Sequence, residues 1–116
     1  MAFKVLIIED DQLMASLLSE KLRRAGLIIA LAFDGESALR ELDKELPDII
    51  ILDIILPGIN GFDFLAKIKK DEKLRPIPVI ILSNLGSEEE IQTGISLGAE
   101  DYLIKAHFMP SEVVEK

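Results

Sequence analysis

An alternation running the length of the chain constrains its fold more than any other feature. Short, continuous apolar runs trade places with segments whose apolar residues fall three or four positions apart. The runs are Phe3 to Ile8, Leu27 to Phe33, the Ile49 to Leu52 stretch inside Asp48 to Asp53, Val79 to Leu82, and Asp101 to Ile104. They are short enough for strands and too continuously apolar for a sheet with one wet face. Between the first two runs, Leu13, Met14, Leu17, Leu18, Leu22 and Ala25 keep helical spacing until Gly26 closes the segment. After the Asp34-Gly35 turn, Ala38, Leu39 and Leu42 do the same, and Pro47 stops them. Pro57-Gly58 and Asn60-Gly61 mark a loop. The next segment turns Phe62, Leu65 and Ile68 inward and Lys67, Lys69 and Lys70 outward. Ser87 reads as the cap of a fourth helix. Glu88, Glu89 and Glu90 occupy its first turn, Ile91 and Ile95 lie within it, and it ends near Gly98. Pro110 suits the first turn of a fifth.

The pattern is therefore (βα)5: a parallel five-stranded sheet with helices on both faces. The 116 residues suffice for one buried core and one domain spanning 1–116, with no internal repeat or linker. In sheets of this kind the binding crevice lies outside the carboxyl ends of the strands.

Those ends carry the chemistry. The first run ends in Glu9-Asp10-Asp11, the third in Asp53, the fourth in Ser83 and the fifth in Lys105. Taken singly, a strand-terminal Asp is as readily the cap of the next helix, Ser83 a turn residue and Lys105 a surface cation. Four such tips in one chain are harder to dismiss. In the doubly wound order 2-1-3-4-5, the third strand lies between the first and fourth, each ~4.8 Å away. Asp53 would then have the acids on one side and Ser83 on the other. Lys105 would start two strands off, ~10 Å away on that spacing, within reach of a long flexible side chain.

Composition narrows the chemistry. The formal net charge of −8 argues against non-specific nucleic-acid binding, which needs basic patches. The chain has no cysteine and one histidine, His107, so thiolate chemistry and multi-histidine metal sites are excluded. Any metal would be held by carboxylates. Only Val5 to Ile8 separates Lys4 from Glu9, too little for a signal-peptide core, and no apolar run nears the ~20 residues of a membrane span. No membrane association is expected, and the cytoplasm is the expected compartment.

Together Ile8-Glu9-Asp10-Asp11, Leu52-Asp53-Ile54-Ile55-Leu56-Pro57-Gly58, Asn60-Gly61, Leu82-Ser83-Asn84, Gly98-Ala99 and Asp101-Tyr102-Leu103-Ile104-Lys105 resemble the receiver domain of two-component response regulators. The resemblance covers essentially the whole chain. It implies a flavodoxin-like doubly wound sheet in the order 2-1-3-4-5 and a phosphoacceptor function. Asp53 matches the carboxylate that takes a phosphoryl group from a histidine kinase or phosphotransfer protein. Glu9 and Asp10 match the acidic pair for Mg2+, with the Asp53 carboxylate and the Ile55 backbone carbonyl as further ligands. Lys105 and the Ser83 hydroxyl would contact the phosphoryl oxygens, and Ser83 with Tyr102 would form the switch pair. Asp11 is expected to turn away towards the first helix. The resemblance also implies signalling, including pairing of two copies, through helix four, strand five and helix five. It implies no turnover of a separate substrate, only the domain's own Mg2+-dependent phosphorylation and dephosphorylation.

Departures and rivals are specific. Ala106 stands where the family has a proline after a cis bond, and a cis bond to a non-proline residue costs ~3–4 kcal/mol. Pro110 to Lys116 leaves seven residues for a last helix that runs longer in the family. His107 is expected at the surface. Ile55 and Leu85 border the family's path for attacking water and are both apolar, so slow dephosphorylation is expected. A dehalogenase-like phosphatase would need an Asp at position 55, and a flavodoxin-like nucleotide or flavin binder would need a Gly/Ser/Thr-rich loop in place of the acids. Neither fits. The remaining alternative is a pseudo-receiver, an interaction module that keeps the fold without being phosphorylated.

Overall fold

The computed structural model describes residues 3–56, 58–83 and 87–104. Its strands are β1 (Lys4–Ile8), β2 (Ile28–Ala32), β3 (Ile49–Leu52), β4 (Val79–Ser83) and β5 (Asp101–Ile104). Its helices are α1 (Gln12–Arg24), α2 (Gly35–Lys44), α3 (Gly61–Lys70) and α4 (Glu88–Ser96). The strands form one sheet in the order β2-β1-β3-β4-β5, every neighbouring pair parallel. The expected fifth helix falls outside the described residues.

The central apolar runs become strands because both of their faces are covered, while β2 at the edge keeps Ile28 exposed. Residues on one side of the strands, including Val5, Ile7, Ile51, Ile80, Leu82 and Leu103, pack with Leu18 and Leu22 of α1. The alternate set, including Leu6, Ile8, Ile50, Leu52, Val79, Ile81 and Tyr102, packs with α2 and α3 through Ala38, Leu42, Phe64, Leu65 and Ile68. β3 shows the consequence: Ile50, Ile51 and Leu52 are all buried although they point alternately to both faces.

Each described helix begins on a side-chain cap. Asp11, Asp34, Asn60 and Ser87 accept from backbone N–H groups of the first turns of α1 to α4 respectively. Ser87 and Glu90 complete a reciprocal capping box, which satisfies two otherwise orphaned donors. In βα units each helix starts where the preceding strand ends, so these four N-termini gather at the carboxyl edge of the sheet.

Three details differ from what the sequence pattern suggests. In α1, Leu18 and Leu22 of the apolar positions are buried, but Leu13 and Leu17 are exposed. The inward stripe of α3 is Gly61, Phe64, Leu65 and Ile68, while Phe62 is only partly buried. Lys69, expected outward, turns its ammonium back to donate to the carbonyls of Arg75 (3.0 Å) and Ile77 (2.9 Å). Burial holds its pKa below the ordinary lysine value, against the opposing charge of Glu100. It ties the end of α3 to the entry of β4, at the edge opposite the strand tips.

Gly61 explains why α3 starts where it does. A Cβ there would lie 2.5 Å from the Asp53 carbonyl oxygen and 2.5 Å from the Ile54 Cα, and its N–H donates to the Ile54 carbonyl at 2.7 Å. Backbone rather than a flexible side chain meets the added atom. Gly61→Ala should therefore destabilise the fold by about 2 kcal/mol, in the usual range for overpacking. Urea titration checks this, and an unchanged midpoint would contradict it.

Candidate functional site

The carboxyl ends of the two central strands present the acids. Glu9 follows β1, and its N–H donates to the Ala32 carbonyl at 3.0 Å, extending the β1–β2 ladder by one bond. Asp53 follows β3, and its N–H donates to the Ile8 carbonyl at 2.9 Å, extending the β3–β1 ladder likewise. Both backbones are thus held in strand register, which fixes where the side chains start. Glu9 and Asp53 are buried, at 3% and 5% exposure, while Asp10 is open to solvent. Carboxylate oxygens of Glu9, Asp10 and Asp53 lie within 4.8 Å of one another.

The third acid of the run does something else. Asp11 turns towards α1, as expected, and caps it by accepting from Leu13 N–H (3.0 Å) and Met14 N–H (3.2 Å). Its own N–H donates to Glu9 Oε2 at 3.2 Å, so the cap residue also steadies the neighbouring acid. Asp53 Oδ1 accepts from the Ile55 N–H at 3.3 Å. The Ile55 side chain is 55% exposed at the mouth of the site.

Carboxylate triads with one edge open to water suit a hard divalent cation, because such ions take oxygen ligands and keep several waters. Without one, the charges repel, and the burial of Glu9 and Asp53 weakens the screening between those two.

Ser83 closes β4 and is completely buried. It pairs in register with Ile104, and Ile81 pairs with Tyr102. Since side chains alternate along strands, Ser83, Ile81 and Tyr102 share the face covered by α2, α3 and α4. Tyr102 is 8% exposed and lies inward. Burial raises its phenol above the ordinary tyrosine pKa, reinforced by the Glu90 and Asp53 charges, while a hydrogen bond from Ser83 opposes the shift. In the sequence, Glu90 is marked only as a first-turn acid of the fourth helix. Its proximity to Tyr102 depends on how α4 docks, which no local pattern states. Lys105, the Lys105–Ala106 bond, Asn84, Leu85, His107 and Pro110 lie outside the described residues.

With this geometry in place, the comparisons decide the family. The response regulator receiver domain model matches residues 5–116. The chain belongs to that family. It is 35% identical to the phosphate regulon transcriptional regulatory protein PhoB of Escherichia coli (strain K12) over 116 residues, 100% of this chain and 50% of PhoB. The receiver therefore spans about half the length of that curated relative. Among solved structures it is similar to the chemotaxis response regulator CheY4 of Vibrio cholerae, with 30% identity, a TM-score of 0.91, and coverage of 99% of this chain and 95% of the other. It is also similar to the Mn(2+)-bound form of response regulator Rcp1, with 26% identity, a TM-score of 0.87, and coverage of 97% and 89%. No helix among the described residues is long and apolar enough to cross a membrane.

Tyr102 is the only tyrosine and the chain has no tryptophan, so its ionisation can be followed cleanly. A phenolate-absorbance titration should give a midpoint above that of free tyrosine. Because the folded pKa is raised, the associated stability is complete below the unfolded pKa of about 10 and lost as pH climbs through the folded value. The wild type should accordingly lose stability relative to Tyr102→Phe only in that alkaline range. A midpoint at or below free tyrosine would refute the buried phenol.

Proposed function

We propose that this receiver takes a phosphoryl group on Asp53 in a Mg2+-dependent reaction, and that the modification is read through Ser83 and Tyr102. The convergence of three carboxylates at the ends of β1 and β3 is the observation that carries this reading. Receiver domains act with histidine kinases or phosphotransfer proteins, and a phosphohistidine is the proposed donor. An Asp53 carboxylate oxygen forms a bond to phosphorus as the P–N bond breaks, and the imidazole leaves with the electron pair and takes up a proton. The product is an aspartyl phosphate.

Glu9, Asp10 and Asp53, with the Ile55 carbonyl, are the proposed Mg2+ ligands; the bound ion would offset the charge that otherwise repels an anionic donor. The donor set fits, since every ligand is a hard oxygen. The Mn(2+)-bound form of Rcp1 supports a divalent site in a related receiver. The Ile55 N–H already donates to Asp53 Oδ1, so it restrains the nucleophile's carboxylate rotation before any donor arrives. Lys105 and the Ser83 hydroxyl are the proposed contacts to the phosphoryl oxygens. The domain would act on itself rather than turn over a separate substrate. The proposed output surface is still α4, β5 and the expected fifth helix, the last of which lies outside the described residues.

Incubation of the chain with acetyl phosphate and Mg2+ should add one phosphoryl mass to the wild type and none to Asp53→Asn, read by intact mass spectrometry. An unmodified wild type would favour the pseudo-receiver. The apolar Ile55 cannot orient attacking water by hydrogen bonding, so the phosphorylated form should decay slowly. Ile55→Asn is expected to shorten its lifetime by several-fold. Equal lifetimes would remove Ile55 from the account of hydrolysis.

A further inference from the structure

Within α4 the buried residue is a glycine. Gly94 is the one residue of the nine in this helix that is buried, whereas Ile95 stands 45% exposed. A glycine inside a helix weakens it relative to alanine, so its presence needs a packing reason. The surroundings supply one. A Cβ at Gly94 would lie 3.0 Å from Tyr102 Cδ2, 3.3 Å from Tyr102 Cε2 and 2.6 Å from Ile81 Cδ1. Ile81 and Tyr102 are register partners on β4 and β5, so α4 lies across this pair with its glycine facing them.

We propose that Gly94 is a specificity-determining position of the Tyr102 switch: α4 keeps a slot free of side chain there, and the Tyr102 ring beds in it. This rests on the receiver reading above and deepens it. Ser83 borders the ring from the strand side, and Gly94 bounds it from the helix side. A Cβ at position 94 needs the Ile81 Cδ1 to turn aside and the Tyr102 ring or α4 to give way by a few tenths of an ångström. The inward ring and the docked helix are then a single packing state, and the size of residue 94 sets how readily it forms.

A thermal-unfolding cycle on the full chain tests this. It is run in an Ile81→Val background, which deletes the Cδ1 atom at 2.6 Å and leaves the ring as the near neighbour. There, Gly94→Ala should lower the melting temperature when Tyr102 is present. In the Tyr102→Ala background the same change should leave it unchanged or raise it, because alanine is the better helix former. Equal losses in both backgrounds would overturn the seat. Tyr102 fluorescence gives a second readout: Gly94→Ala should at least double acrylamide quenching of the lone tyrosine, and unchanged quenching would also overturn it. Acetyl phosphate with Mg2+ should leave that exposure in place, since the obstacle is steric; full recovery of wild-type protection would count against the seat. A wild type that takes no phosphoryl group defeats the receiver reading and the switch role with it. A phosphorylated wild type with equal thermal losses defeats the seat alone.

Discussion

Everything at the functional edge depends on two backbone hydrogen bonds. Asp53 N–H to the Ile8 carbonyl and Glu9 N–H to the Ala32 carbonyl carry the sheet ladders one residue beyond the strands proper. They hold two buried acids in strand geometry, where left alone the charges would separate. The free energy to oppose that repulsion comes from the apolar strands behind them, buried on both faces. The core and the acidic edge are therefore one design: the more rigid the sheet, the closer like charges can be kept.

The carboxyl edge is also where the helices begin. The capped N-termini of α1, α2, α3 and α4 meet the same rim as the strand tips, so their partial positive ends face the region where the acids sit. A chain with a net charge of −8 thus presents locally favourable dipoles where the proposed anionic donor would arrive. Asp11 shows the economy of the arrangement, since one residue caps α1 with its carboxylate and holds Glu9 with its N–H.

Strand positions and one helix cap were legible in the sequence because they follow from short-range patterns. Continuous runs such as Ile49 to Leu52 suit a sheet covered on both sides, and the Ser87 cap satisfies donors a few positions away, whereas the caps at Asp11 and Asn60 show only in the structure. The acids of the site were legible as strand tips once the sheet order was supposed. Lys69, Phe64 and Gly94 were not. The turning-back of Lys69 depends on carbonyls presented by a later turn, Phe64 on a helix phase set by Gly61, and Gly94 on which residues of β4 and β5 lie beneath α4. Each is decided by contact between elements, about which periodicity along one element says nothing.

The close approach at Gly61 has a mechanical consequence. With α3 resting on the Asp53 carbonyl and the Ile54 Cα at distances that leave no room for a methyl group, the Asp53 backbone and the helix are packed directly against each other. α3 is in turn anchored through Lys69 to the carbonyls leading into β4. A displacement at Asp53 would thus meet backbone packed against backbone on this face of the sheet. Farther along the same face, over β4 and β5, the corresponding contact is a ring beside a glycine rather than backbone against backbone.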